Sequence, residues 1–223
     1  MKTNTKTLAV SFCIFYLIWI VRATIFYNAV DLSVESETGR LIFSNVIKFS
    51  LWVIPAGLYV FYRERKKPLI NLRVASPINW RGLGIGFTAS VFYFVVIFMV
   101  EKLYSGRTLT PLLHASASAW LVTLAQVFFS PISEEILFRG FVLPQLMDRM
   151  PFWKANMLQA ILFAAMHWPN WIWVNGFQAW IMVTSVSIFI LALFLGWLLR
   201  RTNSIWPPIL VHIINNFLSS FAG

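Results

Sequence analysis

The chain is short of charge, shorter still of acid, and almost without cysteine. Of its 223 residues only 12% are charged, against 59% hydrophobic, whereas an ordinary soluble domain carries roughly 25% charged residues. A soluble core of this length cannot bury so much apolar surface, which excludes a soluble globular domain and leaves a polytopic membrane protein. The single cysteine, Cys13, lies in an apolar run and excludes both an internal disulfide and a cysteine-type zinc cluster. There are eight acidic residues and three histidines, so any acid–base chemistry rests on few groups. No internal repeat, low-complexity segment or soluble linker is visible. Two histidines four apart around a glutamate, the soluble zinc-protease signal, are missing. The stretch GLGIG at 82–86 follows a basic loop rather than a strand. It therefore reads as small residues that let helices approach, not as a nucleotide loop.

What is present is a series of apolar runs near 8–29, 41–62, 82–100, 118–147, 153–172, 177–199 and 204–221. A bilayer-crossing helix needs about 20 such residues. The expected fold is all-α, a polytopic transmembrane helical bundle of about seven to eight spans, with 1–223 as one integral-membrane domain. The first run follows Lys2 and Lys6 but has Arg22 where a small-residue cleavage site would lie, so it reads as a span rather than a signal peptide. Run 118–147 is too long for one upright span and contains Pro131 and Pro144, which predict tilt or a kink.

Twelve of the eighteen lysines and arginines fall in alternate gaps: Lys2, Lys6, Arg63, Arg65, Lys66, Lys67, Arg73, Arg81, Arg149, Lys154, Arg200 and Arg201. The opposite gaps hold three, Arg40, Lys102 and Arg107, and the remaining three, Arg22, Lys48 and Arg139, lie inside spans. The split predicts a cytoplasmic N-terminus and RERKK loop. The net charge of +10 is thereby membrane topology, with some affinity for anionic lipid, and not a nucleic-acid footprint. The acidic stretch DLSVESE and the uncharged loop WPNWIWVNGF face outward, where Trp168, Trp171, Trp173 and Trp180 suit an interfacial aromatic belt.

The stretch SPISEEILFRG at 130–140 places two carboxylates and an arginine at membrane depth. Counted at the helical rise from the nearest flanking charge, Glu134 lies about 21 Å in, His167 about 20 Å and His212 about 16 Å, on three different helices. Glu135 and Arg139 are four apart, acid first, which predicts a structural ion pair. Glu134 points to another face and has no obvious local partner, so function is the default reading. His212 shares a face with Asn215 and Asn216, and spacing does not choose between them. Arg22 and Lys48 read as snorkelling residues near the outer side, with the lining of a polar cavity as the alternative, and are left out of the site; His114 reads as a solvated loop residue.

A desolvated carboxylate is a better base near neutral pH. With His167, Glu134 is suited to hold and deprotonate a water that attacks a peptide carbonyl. His212 and an asparagine amide are suited to the developing oxyanion. No cofactor is required, although Glu134, His167 and His212 are also a possible zinc set. A serine nucleophile needs an adjacent base, and the sequence recommends neither Ser130 nor Ser133.

Together EEILFR (Glu134, Glu135, Arg139), FAAMH (Phe163 to His167) and HIINN (His212 to Asn216) resemble the three motifs of the CAAX-protease and bacteriocin-processing (CPBP, Abi) intramembrane endopeptidases. These are relatives of the Ras-converting prenyl-protein endopeptidase. The resemblance covers about 115–221. It implies Glu134 as general base, His167 as its water-holding partner, His212 with Asn216 as an oxyanion hole, and Glu135 and Arg139 as site-shaping residues. It also implies a peptide or protein substrate, an integral protein of a bacterial cytoplasmic membrane, and a site opening toward the cytoplasm. The family has been called both metalloprotease and glutamate protease. The rival readings are a non-catalytic scaffold or immunity protein of the same fold, which a missing motif residue would have favoured, and an ion-coupled transporter, which duplicated halves would have favoured.

Overall fold

In lipid no water satisfies the backbone, so apolar segments must close their N–H and C=O groups internally, as helices. The computed structural model describes residues 5–26, 36–105 and 117–220, and among these the chain is helical without a strand. Helix α1 (Thr5–Val21) continues as a π-helical turn, Arg22–Phe26. Helix α2 (Glu37–Tyr62) starts at Ser36, whose Oγ accepts from the Gly39 N–H at 3.0 Å. A short α3 (Pro68–Asn71) precedes α4 (Trp80–Ser105). Helix α5 (Ala117–Glu135) runs through a π segment, Ile136–Val142, into α6 (Leu143–Met147). Then follow α7 (Phe152–Ala165), α8 (Trp168–Asn175), α9 (Ala179–Thr202) and α10 (Trp206–Ser219). The stretches Lys6–Phe26, Ile42–Tyr62 and Ala179–Thr202 are long and apolar enough to cross a membrane. The chain is an all-α bundle of an integral membrane protein. His114 and most of DLSVESE lie outside the described residues.

Neither proline ends the long fourth segment. Pro144 has no N–H to return to the Gly140 carbonyl, and the helix widens its register just upstream, with the Leu143 N–H donating to Phe138 O. All seven residues of this π segment are buried, and such segments recur at functional sites. The expected span 153–172 is not continuous. Helix α7 has 14 residues, roughly 21 Å at the helical rise, and stops short of the about 30 Å hydrocarbon thickness. Met166 and His167 form a turn, and Pro169 opens α8. Non-helical backbone at membrane depth is tolerated where it lines a cavity.

Helix α9 packs along α7, α10 along α4 and α5, and α2 along α5. The close approach expected at 82–86 is real: a Cβ on Gly86 would fall 2.5 Å from Val211 Cγ2. The connections bearing the basic residues gather at one end. The segment 63–79 lies across it, with Ser204 Oγ donating to Pro77 O at 2.8 Å, Trp206 Nε1 to Ser76 O at 3.0 Å, and Gln145 Nε2 to the Glu64 carboxylate. Gly140 meets this segment, and a Cβ there would lie 2.6 Å from the Leu72 carbonyl oxygen. Backbone cannot swing aside as a side chain can. Gly140→Ala is therefore expected to cost about 1–3 kcal/mol, read as a lower thermal midpoint in detergent. An unchanged midpoint would show that segment 63–79 is not seated there.

Candidate active site

Glu134 sits in the last turn of α5 and is 4% exposed. Its Oε1 accepts from Ser130 Oγ at 2.8 Å, one helical turn earlier, and from Lys48 Nζ of α2. Lys48 Nζ also donates to Ser130 Oγ at 2.6 Å and lies 4.6 Å from the Trp52 ring centroid. The expectation that Glu134 lacks a partner is thus corrected, as is the reading of Lys48 as a snorkelling residue. A desolvated carboxylate and a desolvated ammonium compensate each other across two helices. The other oxygen, Oε2, faces His212 Nε2 at 3.6 Å.

Glu135 is fully buried and meets the other nitrogen of the same His212 ring. The expected ion pair forms: Arg139 Nη1 donates to Glu135 Oε1 at 2.9 Å. The same oxygen lies 2.8 Å from His212 Nδ1. A carboxylate accepts, so Nδ1 carries the proton in this contact and His212 presents Nε2 toward Glu134. Arg139 Nη2 also donates to the Ala192 carbonyl of α9 at 3.2 Å, and Gln159 Nε2 shares that carbonyl at 3.1 Å.

His167 occupies the turn after α7, and its Nδ1 lies 2.9 Å from Phe163 O. A carbonyl only accepts, so this ring also presents Nε2 as its second nitrogen. The Phe163 ring stands between the two imidazoles, 5.4 Å from His167 and 5.8 Å from His212 by centroid. Helix α1 braces the turn. Its Tyr16 hydroxyl donates to Leu162 O and its Trp19 Nε1 to Met166 O at 2.8 Å, which supplies donors to carbonyls that a helix end leaves open. Trp171 stacks near His167 at 5.2 Å, and Trp168 Nε1 donates to Ser185 Oγ at 2.8 Å. Of the four tryptophans assigned to an interfacial belt, Trp171 is half-buried and Trp168, Trp173 and Trp180 are exposed.

Glu134, His167, His212, Asn215 and Asn216 line one cavity of about 730 Å³. Geometry does not choose between the asparagines, which contact each other at 3.4 Å. Arg22 and Lys48 are on the same wall, Arg22 donating to Ser44 Oγ at 3.1 Å, so neither lies outside the site as expected. The wall continues through Ser44, Asn170, Thr184 and Ser219, on the half of the bundle away from segment 63–79.

Among the described residues no three His, Cys, Asp or Glu groups converge on a common point. An ammonium on Glu134 Oε1 also opposes a dication at that carboxylate.

Residues 116–218 match the model of the family described as Type II CAAX prenyl endopeptidase Rce1-like. Over this segment, a little under half of the chain, the protein is similar to the Rce1-like family. The matched segment spans Glu134, Glu135, Arg139, His167, His212 and Asn216. It does not reach α1, α2 or α4, and Lys48 and Arg22 come from outside it. No curated protein matches the chain. Lys48 carries a signal of its own in the sequence. It lies fifteen residues before Arg63, hence about 22 Å from the basic end, level with Glu134.

Proposed function

We propose that this chain is an intramembrane endopeptidase of the CAAX-protease type. Its reaction is hydrolysis of a peptide bond in a lipidated, membrane-associated or precursor peptide. The observation that carries this reading is Glu134 Oε2, which faces the Nε2 of His212 in the cavity that His167 and Asn216 also line. Glu134 takes a proton from water as the water oxygen bonds to the peptide carbonyl carbon. His167 Nε2 orients that water, its ring fixed by the Phe163 carbonyl. The Asn216 amide donates to the developing oxyanion, and His212 joins it as a donor only as the doubly protonated ring, since its Nδ1–H is already given to Glu135. The C–N bond then breaks, and the proton passes from Glu134 to the leaving amine. Lys48 holds Oε1 and leaves Oε2 as the working oxygen. No step is routed through zinc, since the residues do not gather as its ligands.

One contact favours a second reading. Ser130 Oγ is within hydrogen-bond reach of both Glu134 and Lys48, a nucleophile beside a base and a cation. The test is cleavage of a lipidated or membrane-segment peptide by purified protein in detergent. Activated-water chemistry predicts that Ser130→Ala keeps turnover within about tenfold of wild type, that no acyl-enzyme is trapped, and that a chelator changes nothing. Loss of turnover in Ser130→Ala together with a trapped acyl-serine would install the second reading. Loss with chelator and rescue by zinc would replace both. A scaffold would cleave nothing.

A further inference from the structure

A second concavity, of about 500 Å³, lies apart from the candidate active site, between the last turn of α2 and the short helix α3. Phe61, Leu69 and Ile70 give it an apolar lining, and Arg65, Lys66 and Lys67 a basic one. The sequence fixes its level in the bilayer. The stretch Ile42–Tyr62 is long and apolar enough to cross a membrane, and charge begins at the next residue, Arg63. The concavity therefore straddles the boundary between hydrocarbon and headgroups.

Its two kinds of lining are both left open by the protein. Leu69 and Ile70 are 65% and 61% exposed, whereas Leu72, just past α3, is buried. Bare aliphatic side chains beside a row of cations are the pattern of a surface lying at the headgroup–acyl boundary. Glu64 is the acid of the basic stretch, and its carboxylate already meets Lys66 Nζ at 3.3 Å and Gln145 Nε2. The side chains of Arg65 and Lys67 have no hydrogen bond or ion pair among the described residues.

The backbone gives an independent observation. Among the described residues, three that are not glycine have left-handed φ: Arg65 at 57°, Arg73 at 60° and Asn203 at 53°. Arg73 and Asn203 bond to each other through their side chains, so their strain secures segment 63–79 to the α9–α10 turn. Arg65 has no such return within the described residues, yet its side chain lines the concavity. Strain of this kind persists where something outweighs it, and it gathers at ligand clamps.

We propose that this concavity binds one anionic phospholipid of the surrounding membrane. Arg65 and Lys67 meet the phosphate, as charge-assisted donors to its oxygens, and the glycerol and first acyl carbons lie on Phe61, Leu69 and Ile70. A soluble phosphate would engage the cations and leave the aliphatic side chains bare. A zwitterionic lipid brings an ammonium of its own beside the phosphate, which opposes the same cations. The proposal does not rest on the peptidase reading.

The test titrates purified protein in detergent with phosphatidylglycerol, or with phosphatidylcholine of the same acyl chains, and reads bound lipid per protein by native mass spectrometry. The expected result is one phosphatidylglycerol held at least about tenfold more tightly than phosphatidylcholine. Arg65→Gln with Lys67→Gln is expected to weaken it about thirtyfold, from about 1 kcal/mol per cation. Lys154→Gln with Arg201→Gln removes the same charge from exposed positions at the same end but outside the concavity, and is expected to leave affinity within about threefold. Leu69→Ser with Ile70→Ser keeps every charge and is expected to weaken binding too. All six positions are exposed, and an unchanged thermal midpoint without lipid shows that each variant is folded. Equal losses in the two glutamine variants would reduce the site to diffuse surface charge and overturn the proposal. Equal affinity for the two lipids, displacement by free glycerol phosphate, or full binding by the serine variant would overturn it as well.

Discussion

Glu134→Gln is expected to lower turnover by about 10²–10⁴-fold, the range that a positioned general base contributes. Glutamine keeps the size of the side chain and an oxygen that accepts from Ser130, so the cavity keeps its shape. What it loses is the capacity to take a proton, and the counter-charge of Lys48. Stranding a largely buried cation costs about 3–5 kcal/mol, so some lost activity would reflect lost protein. A second variant separates the two effects. Lys48→Met combined with Glu134→Gln removes both charges, and is expected to recover the thermal midpoint without recovering turnover. The measurement is kcat per folded molecule on one peptide, alongside unfolding in detergent. If Glu134→Gln turned over within about tenfold of wild type, the carboxylate would not be the base. If the double variant recovered activity, Lys48 rather than Glu134 would be the governing group.

Local features of this site were legible in the sequence, and features made by distant segments were not. Glu135 and Arg139 announce themselves because four residues bring them to one helix face, and the pair forms at 2.9 Å. Counting residues from the flanking charges placed Glu134, His167 and His212 near one level, and they share a cavity. Lys48 lies 86 positions from Glu134, and an isolated lysine in an apolar run looks the same whether it snorkels or pairs. Depth was the discriminating signal, since a cation and an acid stranded at the same level are natural partners. The π segment had no signature beyond Pro144. The turn at Met166–His167 was hidden because hydropathy does not distinguish one 20-residue helix from two shorter ones; Pro169 was the available mark. How segment 63–79 folds back across the bundle depends on partners far along the chain, and no periodicity records that.

Arg139→Met is expected to destabilise the protein by about 3–5 kcal/mol, the cost of leaving a buried carboxylate without its cation. Glu135 and Arg139 are both 0% exposed. The network around them is incompletely paired, because Glu135 Oε2, Arg139 Nε and Gln159 Oε1 are buried without a hydrogen-bond partner among the described residues. Each orphaned polar atom costs roughly 1–3 kcal/mol, so these charges are poorly explained as a stability device. Their use is in what they hold: Glu135 fixes His212 through Nδ1, and Arg139 ties that carboxylate to the α9 backbone at Ala192. Stability and activity should therefore separate. Glu135→Leu with Arg139→Met replaces the pair by apolar side chains, and is expected to match or exceed the wild-type thermal midpoint, since buried ion pairs are often neutral or costly against packed hydrophobes. The same double variant leaves His212 without its acceptor, so its turnover should fall with little change in KM, as expected where an interaction made only in the transition state is lost. Unfolding in detergent and steady-state cleavage of one peptide measure both. A double variant as unstable as Arg139→Met would mean that the pair does hold the fold. One that is stable and fully active would show that His212 needs no orienting carboxylate, and would remove Glu135 from the site.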